Sequence, residues 1–585
     1  MENEKDLFDK ILDFTFSKNN IKYLIILFII AFILRSMVAV NIPPNADEML
    51  HAPHSINFIN SGKLEIMDQD PVWFFLTDLS YKIFGVNMFA ARFLAIFFGA
   101  LSIIALYLIV KKLYNKELAL ISGIILTFSS FHILMSLAEM DVAMVFFVLL
   151  SMYFLISALK DKKDKYLMIS YVFLGISILI KQIAIMFIPA FLIFVVYYKI
   201  KNKEKITLKH FLIFLLIMFV VSLPVLTFNY LLHKDKGLVD LQFSRFFGIA
   251  KDTYKPIEAT IQPFSINTLL FNKNPGFITG LGFFWEFDKI ILILGILGIL
   301  IAILKKKDFT LLFLLSFIFP FLFLSGTSLL EYHFIFGIPI LVLFTSIFIE
   351  FLSEKFKLKK NVVTTIILLI IIIFSMVFLF NRNVFSGNSE VTKMMSYSKK
   401  SISNDAFVVV DSRTYRGRIA WIFNDKHYLE AANLNEAVRL IENSSGNNIP
   451  IKTFFIECVT DDCGWGTIGD QPDFNKSMED MVSFFKNNSK LETTITKHKE
   501  PYFNVYSTNL LLKSNIINLA DSTHEWFYYP LRYEGKESFD DYKTKNFLDK
   551  ILDFLAHIVL YIEILIALAS IIIIIYLLIK EEKTE

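Results

Sequence analysis

The chain has 585 residues, 55% of them hydrophobic and 16% aromatic, and its 58 Lys and Arg against 55 Asp and Glu leave a net charge of only +3. Soluble domains do not carry this much apolar sequence, and a charge so close to balance offers no footprint for nucleic acid. The remaining class is a membrane protein, to be read through apolar runs of about 18 residues or more.

Residues 1–21 are polar and acidic, and the run that follows lacks a small-residue cleavage site, so they read as a cytoplasmic amphipathic segment and not as a signal peptide. Clean apolar spans are expected at 22–40, 93–110, 117–135, 142–158, 209–228, 289–304, 309–324, 334–352, 361–380 and 556–579. The stretch 166–198 is broken by Lys181 into two short helices, which brings the number of transmembrane helices to about twelve. Basic clusters at 111–116, 160–165, 199–205, 305–307 and 355–360 occupy alternate gaps. The positive-inside rule puts those gaps and both termini in the cytoplasm of a multi-pass cell-membrane protein. The opposite gaps, including 41–92 and 381–555, then face outward. The repeated patterns "KDLFDKILDF" (5–14) and "KNFLDKILDF" (545–554) both read as helices lying on the membrane surface.

The transmembrane part covers 22–380, and its first outer loop, 41–92, begins "NIPPNADEMLHAPHS". Asn45 as N-cap and Glu48 three residues on form a capping box, and Pro53 should end the helix near Ala52. That pattern accounts for Asn45, Glu48 and Pro53. It does not account for Asp47, nor for His51 one turn further along the same face. "DPVWFFLTDLSYKIFG" (70–85) reads as an interfacial helix stopped by Gly85. Arg92 then opens the second span, either snorkelling to headgroups or serving a site.

"SLAEMDVAMVFF" (136–147) carries Glu139 and Asp141. On a continuous helix they point about 200° apart, so only one should share a site with Asp47. Lys181 sits between two apolar runs, where an unpaired ammonium costs roughly 3 kcal/mol and calls for an anion. "SLLEYHFIFGIPI" (328–340) adds Glu331, Tyr332 and His333 at another outer end. These groups form one polar level, which scattered interfacial anchors would also produce.

Residues 381–545 lose the long apolar runs. Strands are expected at 406–412, 452–458 and 502–508 and helices at 434–443 and 477–488, the alternation of a small extracytoplasmic α/β domain. Both cysteines of the chain, Cys458 and Cys463, lie here, either as a disulfide in an oxidising compartment or as a reduced pair. The sequons at Asn443, Asn475 and Asn487 fall in the same region. Residues 546–585 close the chain with an interfacial helix, a last span and a cytoplasmic tail.

The order of these features resembles the lipid-dependent glycosyltransferases of the C superfold, in particular the protein O-mannosyltransferase and aminoarabinose transferase group. The residues that carry the likeness are "NADE" after the first span, "DP" before an interfacial helix, Gly85 and Arg92, Asp141 opening the fourth span, and Lys181 in "GISILIKQIAIMFIPAFL". It covers roughly 20–200, with a weaker echo at 325–345. Family members often carry a basic residue just before the second Asp, where this chain has Glu139.

The resemblance implies a mostly α polytopic enzyme that transfers a sugar from a polyprenyl (dolichyl-type) phosphate donor to an extracytoplasmic acceptor, which could be protein, glycan or lipid. It implies Asp47 as catalytic base, with Glu48 and Asp141 as further acidic members. Arg92 and Lys181 would hold the donor's phosphate, and His51, His333 and Tyr332 are further candidates for the same contact. A base at the acceptor hydroxyl and cations at the leaving phosphate suit a single displacement with inversion. Asp47, Glu48 and Asp141 could also hold a divalent metal ion if their loops converge. The rival readings are a transporter or lipid flippase, which should place its polar sites near midplane, and an oligosaccharyltransferase, whose Trp-Trp-Asp motif "CGWGTIGD" (463–470) does not match.

Overall fold

The computed structural model describes residues 20–583 except 46, 57–70, 206–207, 238, 240–242, 244–265, 273–275, 329, 356–359, 412, 415, 431–441, 461–462, 464–471, 498 and 522–545. The helix expected over 5–14, most of that over 434–443 and most of "CGWGTIGD" lie outside the described residues.

In chain order the first helices are α1 (Asn20–Asn41), α2 (Glu48–His54), α3 (Pro71–Phe84), α4 (Met88–Leu113), α5 (Lys116–Phe128), α6 (Ser130–Leu134), α7 (Asp141–Asp161) and α8 (Asp164–Ile180). A 3-10 turn at Gln182–Met186 leads into α9 (Phe187–Lys201). Then come α10 (Leu208–Val221), α11 (Leu223–Lys236), α12 (Ile266–Phe271), α13 (Phe277–Leu304) and α14 (Thr310–Thr327). A second 3-10 turn at Glu331–Phe336 precedes α15 (Gly337–Lys355) and α16 (Lys360–Asn381).

Among the described residues nine helices are long and apolar enough to cross a membrane, and the pair α10–α11, bent by 56°, makes a tenth. The expected number was about twelve. The difference lies in α5 and α8, which form where spans were expected but reach only 13 and 17 residues. Helices α4 and α7 run through the middle of the bundle, buried along nearly their whole length. Many apolar residues of α13, α16 and the C-terminal helix are exposed instead, as befits surfaces solvated by lipid. Small residues bring neighbouring backbones together. A Cβ on Gly298 of α13 would lie 1.8 Å from the Phe344 carbonyl of α15, so only glycine allows that approach.

The remaining elements are α17 (Glu390–Ser401), β1 (Phe407–Val410), α18 (Arg416–Ile422), β2 (His427–Glu430), β3 (Asn448–Cys458), α19 (Pro472–Asn488), β4 (Lys490–Lys497), β5 (Glu500–Lys513), α20 (Ile516–Asp521) and α21 (Phe547–Lys583). The strands form one sheet in the order β2-β1-β3-β5-β4, with β1 parallel to β2 and β3 and the other pairs antiparallel. Cys458 and Cys463 are joined by a disulfide at the end of β3. The surface helix and last span expected near the C-terminus are one continuous helix of 37 residues. The sheet domain packs on the bundle: α17 caps α1 through Ser389 N–H to the Val40 carbonyl at 3.0 Å, and α18 lies against α2.

Candidate active site

The first loop folds as its local pattern predicts. Glu48 N–H donates to Asn45 Oδ1 at 2.7 Å and Asn45 N–H donates back to Glu48 Oε2 at 3.0 Å, a reciprocal capping box. Helix α2 continues past the expected stop at Ala52 and runs through Pro53 to His54. The proline forfeits a single backbone bond so close to the end, which the surrounding packing tolerates.

Glu48 is fully buried, and its carboxylate also accepts from Arg92 Nε and Nη2, both at 2.7 Å, and from Ala138 N–H at 2.5 Å. Arg92, also fully buried, directs Nη1 to the carbonyls of Val38 and Ile42 at 2.9 Å and Nη2 to that of Pro43 at 3.3 Å. All five guanidinium donors are engaged with the end of α1 and with Glu48. None is left for a phosphate, contrary to the expectation for Arg92. Glu48, expected among the catalytic acids, is likewise enclosed by four donors.

The other candidates converge at the level of α2. Asp47 is half-buried directly before α2 and accepts a hydrogen bond on Oδ2 from the Tyr332 hydroxyl. The Lys181 ammonium lies 5.7 Å from the centre of the Tyr332 ring and donates to Asp141 Oδ2 at 2.7 Å. On the other side of that carboxylate, His333 Nδ1 lies 3.2 Å from Asp141 Oδ1. The anion that Lys181 calls for is thus Asp141. Lys181 occupies an extended position (φ −157°) where α8 gives way to the 3-10 turn, and Tyr332 and His333 occupy the matching turn before α15. Both broken helices bring side chains, not backbone ladders, to the same point.

Glu139 also reaches this cluster, which corrects the expectation that only one of Glu139 and Asp141 could. Helix α7 starts at Asp141, so Glu139 precedes it in a bend and escapes the 200° separation of a continuous helix. Its Oε2 lies 3.3 Å from His51 Nδ1, and the group is fully buried. Burial pushes the Glu139 carboxyl up to about 7 while His51 and Lys181 pull it down. Among the described residues no group of three or more His, Cys, Asp and Glu is disposed to hold a metal ion. The three acids proposed for that role are divided among Tyr332, Arg92, and the Lys181–His333 pair, a poor fit to a divalent cation.

Buried charged residues that the sequence pattern does not single out include Asp288 and Arg418. Asp288 of α13 accepts from Ser130 N–H and Phe131 N–H, each at 3.1 Å, and so closes the start of α6; the acid stands at the head of the apolar run 290–304, and "SS" at 129–130 is the matching signal. Arg418 of α18 reaches α2, and nothing local in the sequence marks it.

Residues 68–228 match the family described as dolichyl-phosphate-mannose-protein mannosyltransferase. A curated relative, an uncharacterised protein of Aquifex aeolicus, is 25% identical over 215 residues, which is 36% of this chain and 43% of that protein. The chain therefore spans less than half the length of that relative. Among solved structures, ArnT from Cupriavidus metallidurans bound to undecaprenyl phosphate superposes with a TM-score of 0.54 at 11% identity, over 83% of this chain and 98% of that one. The apo oligosaccharyltransferase of Archaeoglobus fulgidus gives 0.50 at 13% identity, over 76% and 70%. The chain is a multi-pass membrane protein with the C-superfold glycosyltransferase fold.

Proposed function

We propose that this membrane protein, built on the C-superfold fold, is a glycosyltransferase that moves a sugar from a polyprenyl-phosphate carrier to an acceptor hydroxyl. The donor class is supported by the family matched over 68–228 and by the lipid phosphate bound to ArnT. The reaction runs at the face that carries the sheet domain. Basic clusters in the opposite gaps support an extracytoplasmic assignment for that face, with both termini in the cytoplasm. In this reading residues 22–380 form the transferase domain and 381–545 an outer domain over it.

The observation that carries the proposal is Asp47: half-buried, held by Tyr332 and set beside the Lys181–Asp141–His333 group. Asp47 takes the proton of the acceptor hydroxyl while that oxygen bonds to the anomeric carbon. The bond from that carbon to the phosphate oxygen breaks on the opposite side, so configuration inverts and no covalent enzyme intermediate forms. The Tyr332 hydroxyl occupies Oδ2 and leaves Oδ1 for the acceptor. Lys181, with two further N–H donors beyond the one Asp141 accepts, and His333 meet the charge that develops on the departing lipid phosphate. Glu48 and Arg92 act as the clamp that fixes α2 to the end of α1, and do not touch substrate.

The test is transfer from polyprenyl-phosphate mannose by purified protein in lipid nanodiscs, wild type against Asp47→Asn. Loss of transfer with lipid-phosphate binding retained supports the assignment. Undiminished transfer by the variant removes Asp47 as the base.

A further inference from the structure

Helix α2 has only seven residues, with a proline inside, whereas isolated helices shorter than about 12–15 residues do not hold in water. Its position, and with it that of Asp47, must come from tertiary contacts. One side is supplied by the Glu48–Arg92 clamp. The other comes from far along the chain. Arg418, buried in α18, directs Nε to Met49 Sδ at 3.0 Å and Nη1 to the Tyr502 hydroxyl at 2.6 Å. Its guanidinium also lies 5.7 Å from the centre of the Tyr502 ring. Ala52 of α2 and Tyr81 of α3 are buried in the same apolar core as Trp421 and Tyr502 of the sheet domain. The Tyr81 hydroxyl donates to the Ala52 carbonyl at 3.0 Å and ties the two membrane-side pieces together.

We infer that the sheet domain is a structural part of the reaction centre: it braces the helix headed by Asp47, and Arg418 is the positioning residue of that brace. Arg418 suits this work because its long apolar stem fills the interface while its rigid fork bonds to both sides. The catalytic consequence rests on the reading of Asp47 given above; the brace itself does not.

Hydrogen–deuterium exchange on the full-length protein in nanodiscs tests the brace without reference to activity. In Arg418→Leu the amides of 49–56 should exchange about tenfold faster, while α4 and the β3–β5 pair keep their protection. Arg418→Lys, which keeps the charge and loses the fork, should fall between. Wild-type exchange at 49–56 in Arg418→Leu overturns the inference. Should that variant lose protection in the sheet itself, Met49→Ala approaches the same contact from α2, and unchanged exchange at 49–56 there overturns it equally. With polyprenyl-phosphate mannose as donor, Arg418→Leu should lower kcat about tenfold and leave the donor KM within about twofold, the signature of a displaced base. A raised KM with unchanged kcat would instead place Arg418 on the donor and overturn the positioning role. Wild-type protein inactive on this donor would count against the functional reading while leaving the exchange result intact.

Discussion

Asp47 and Glu48 are adjacent in the chain and carry the same functional group, yet the fold uses them in opposite ways. Glu48 is fully buried, with four donors around its carboxylate. Asp47 is half-buried, with Tyr332 on one oxygen and the Lys181–Asp141 pair nearby. A carboxylate whose lone pairs are all occupied holds structure, whereas one with acceptor capacity left over can take a proton. Occupancy, and not acidity or position in the sequence, separates the two.

Removing each carboxylate in turn separates the two roles most directly. Asp47→Asn should reduce transfer by ~10²–10⁴-fold with little change in thermal unfolding, because the amide keeps the shape of a half-exposed side chain. Glu48→Ala should act through the fold, lowering stability by about 3–5 kcal/mol by leaving Arg92 buried without its partner. Thermal unfolding of detergent-solubilised protein reads this. A variant of Glu48 that folds normally and merely turns over slowly would erase the distinction.

Glu139 lies between the two extremes, buried like Glu48 and paired with His51. Its pKa is raised from 4.5 to about 7 in the fold. A raised pKa favours the folded state when the group is protonated, so this stabilisation is complete below pH 4.5 and is lost as pH rises through 7. Glu139→Gln should therefore gain on wild type with rising pH, by about 3 kcal/mol above pH 7 and by little near pH 4.5. A flat difference across that range would show that Glu139 does not titrate there. Tyr332→Phe should have the smallest effect, about tenfold in kcat with unchanged donor binding, from loss of one hydrogen bond to Asp47. A larger effect on donor KM would move Tyr332 to the phosphate.

Local patterns were legible in the sequence. The apolar runs, the capping box of Asn45 and Glu48, the stop at Gly85 (φ +71°) and the alternation of β1, β3, α19 and β5 all depend on neighbours within a few residues. Strands β2 and β4 were not, because four residues of "HYLE" and the polar "KLETTITK" bury too little to stand out from loops. Composition and order of motifs likewise sufficed to point to a C-superfold membrane protein.

Partner choice was decided only in three dimensions. That Arg92 closes on Glu48, that Lys181 takes Asp141, and that Tyr332 bonds to Asp47 across 285 residues of chain follow from how the broken helices meet. So does the register of α7, whose start at Asp141 frees Glu139 to join the cluster. Hydropathy places a polar residue at the membrane face, since the transfer energy of a segment is a local sum. Which of several equivalent acids and cations pair depends on distances of a few ångströms between distant segments, and those exist only once the helices have packed.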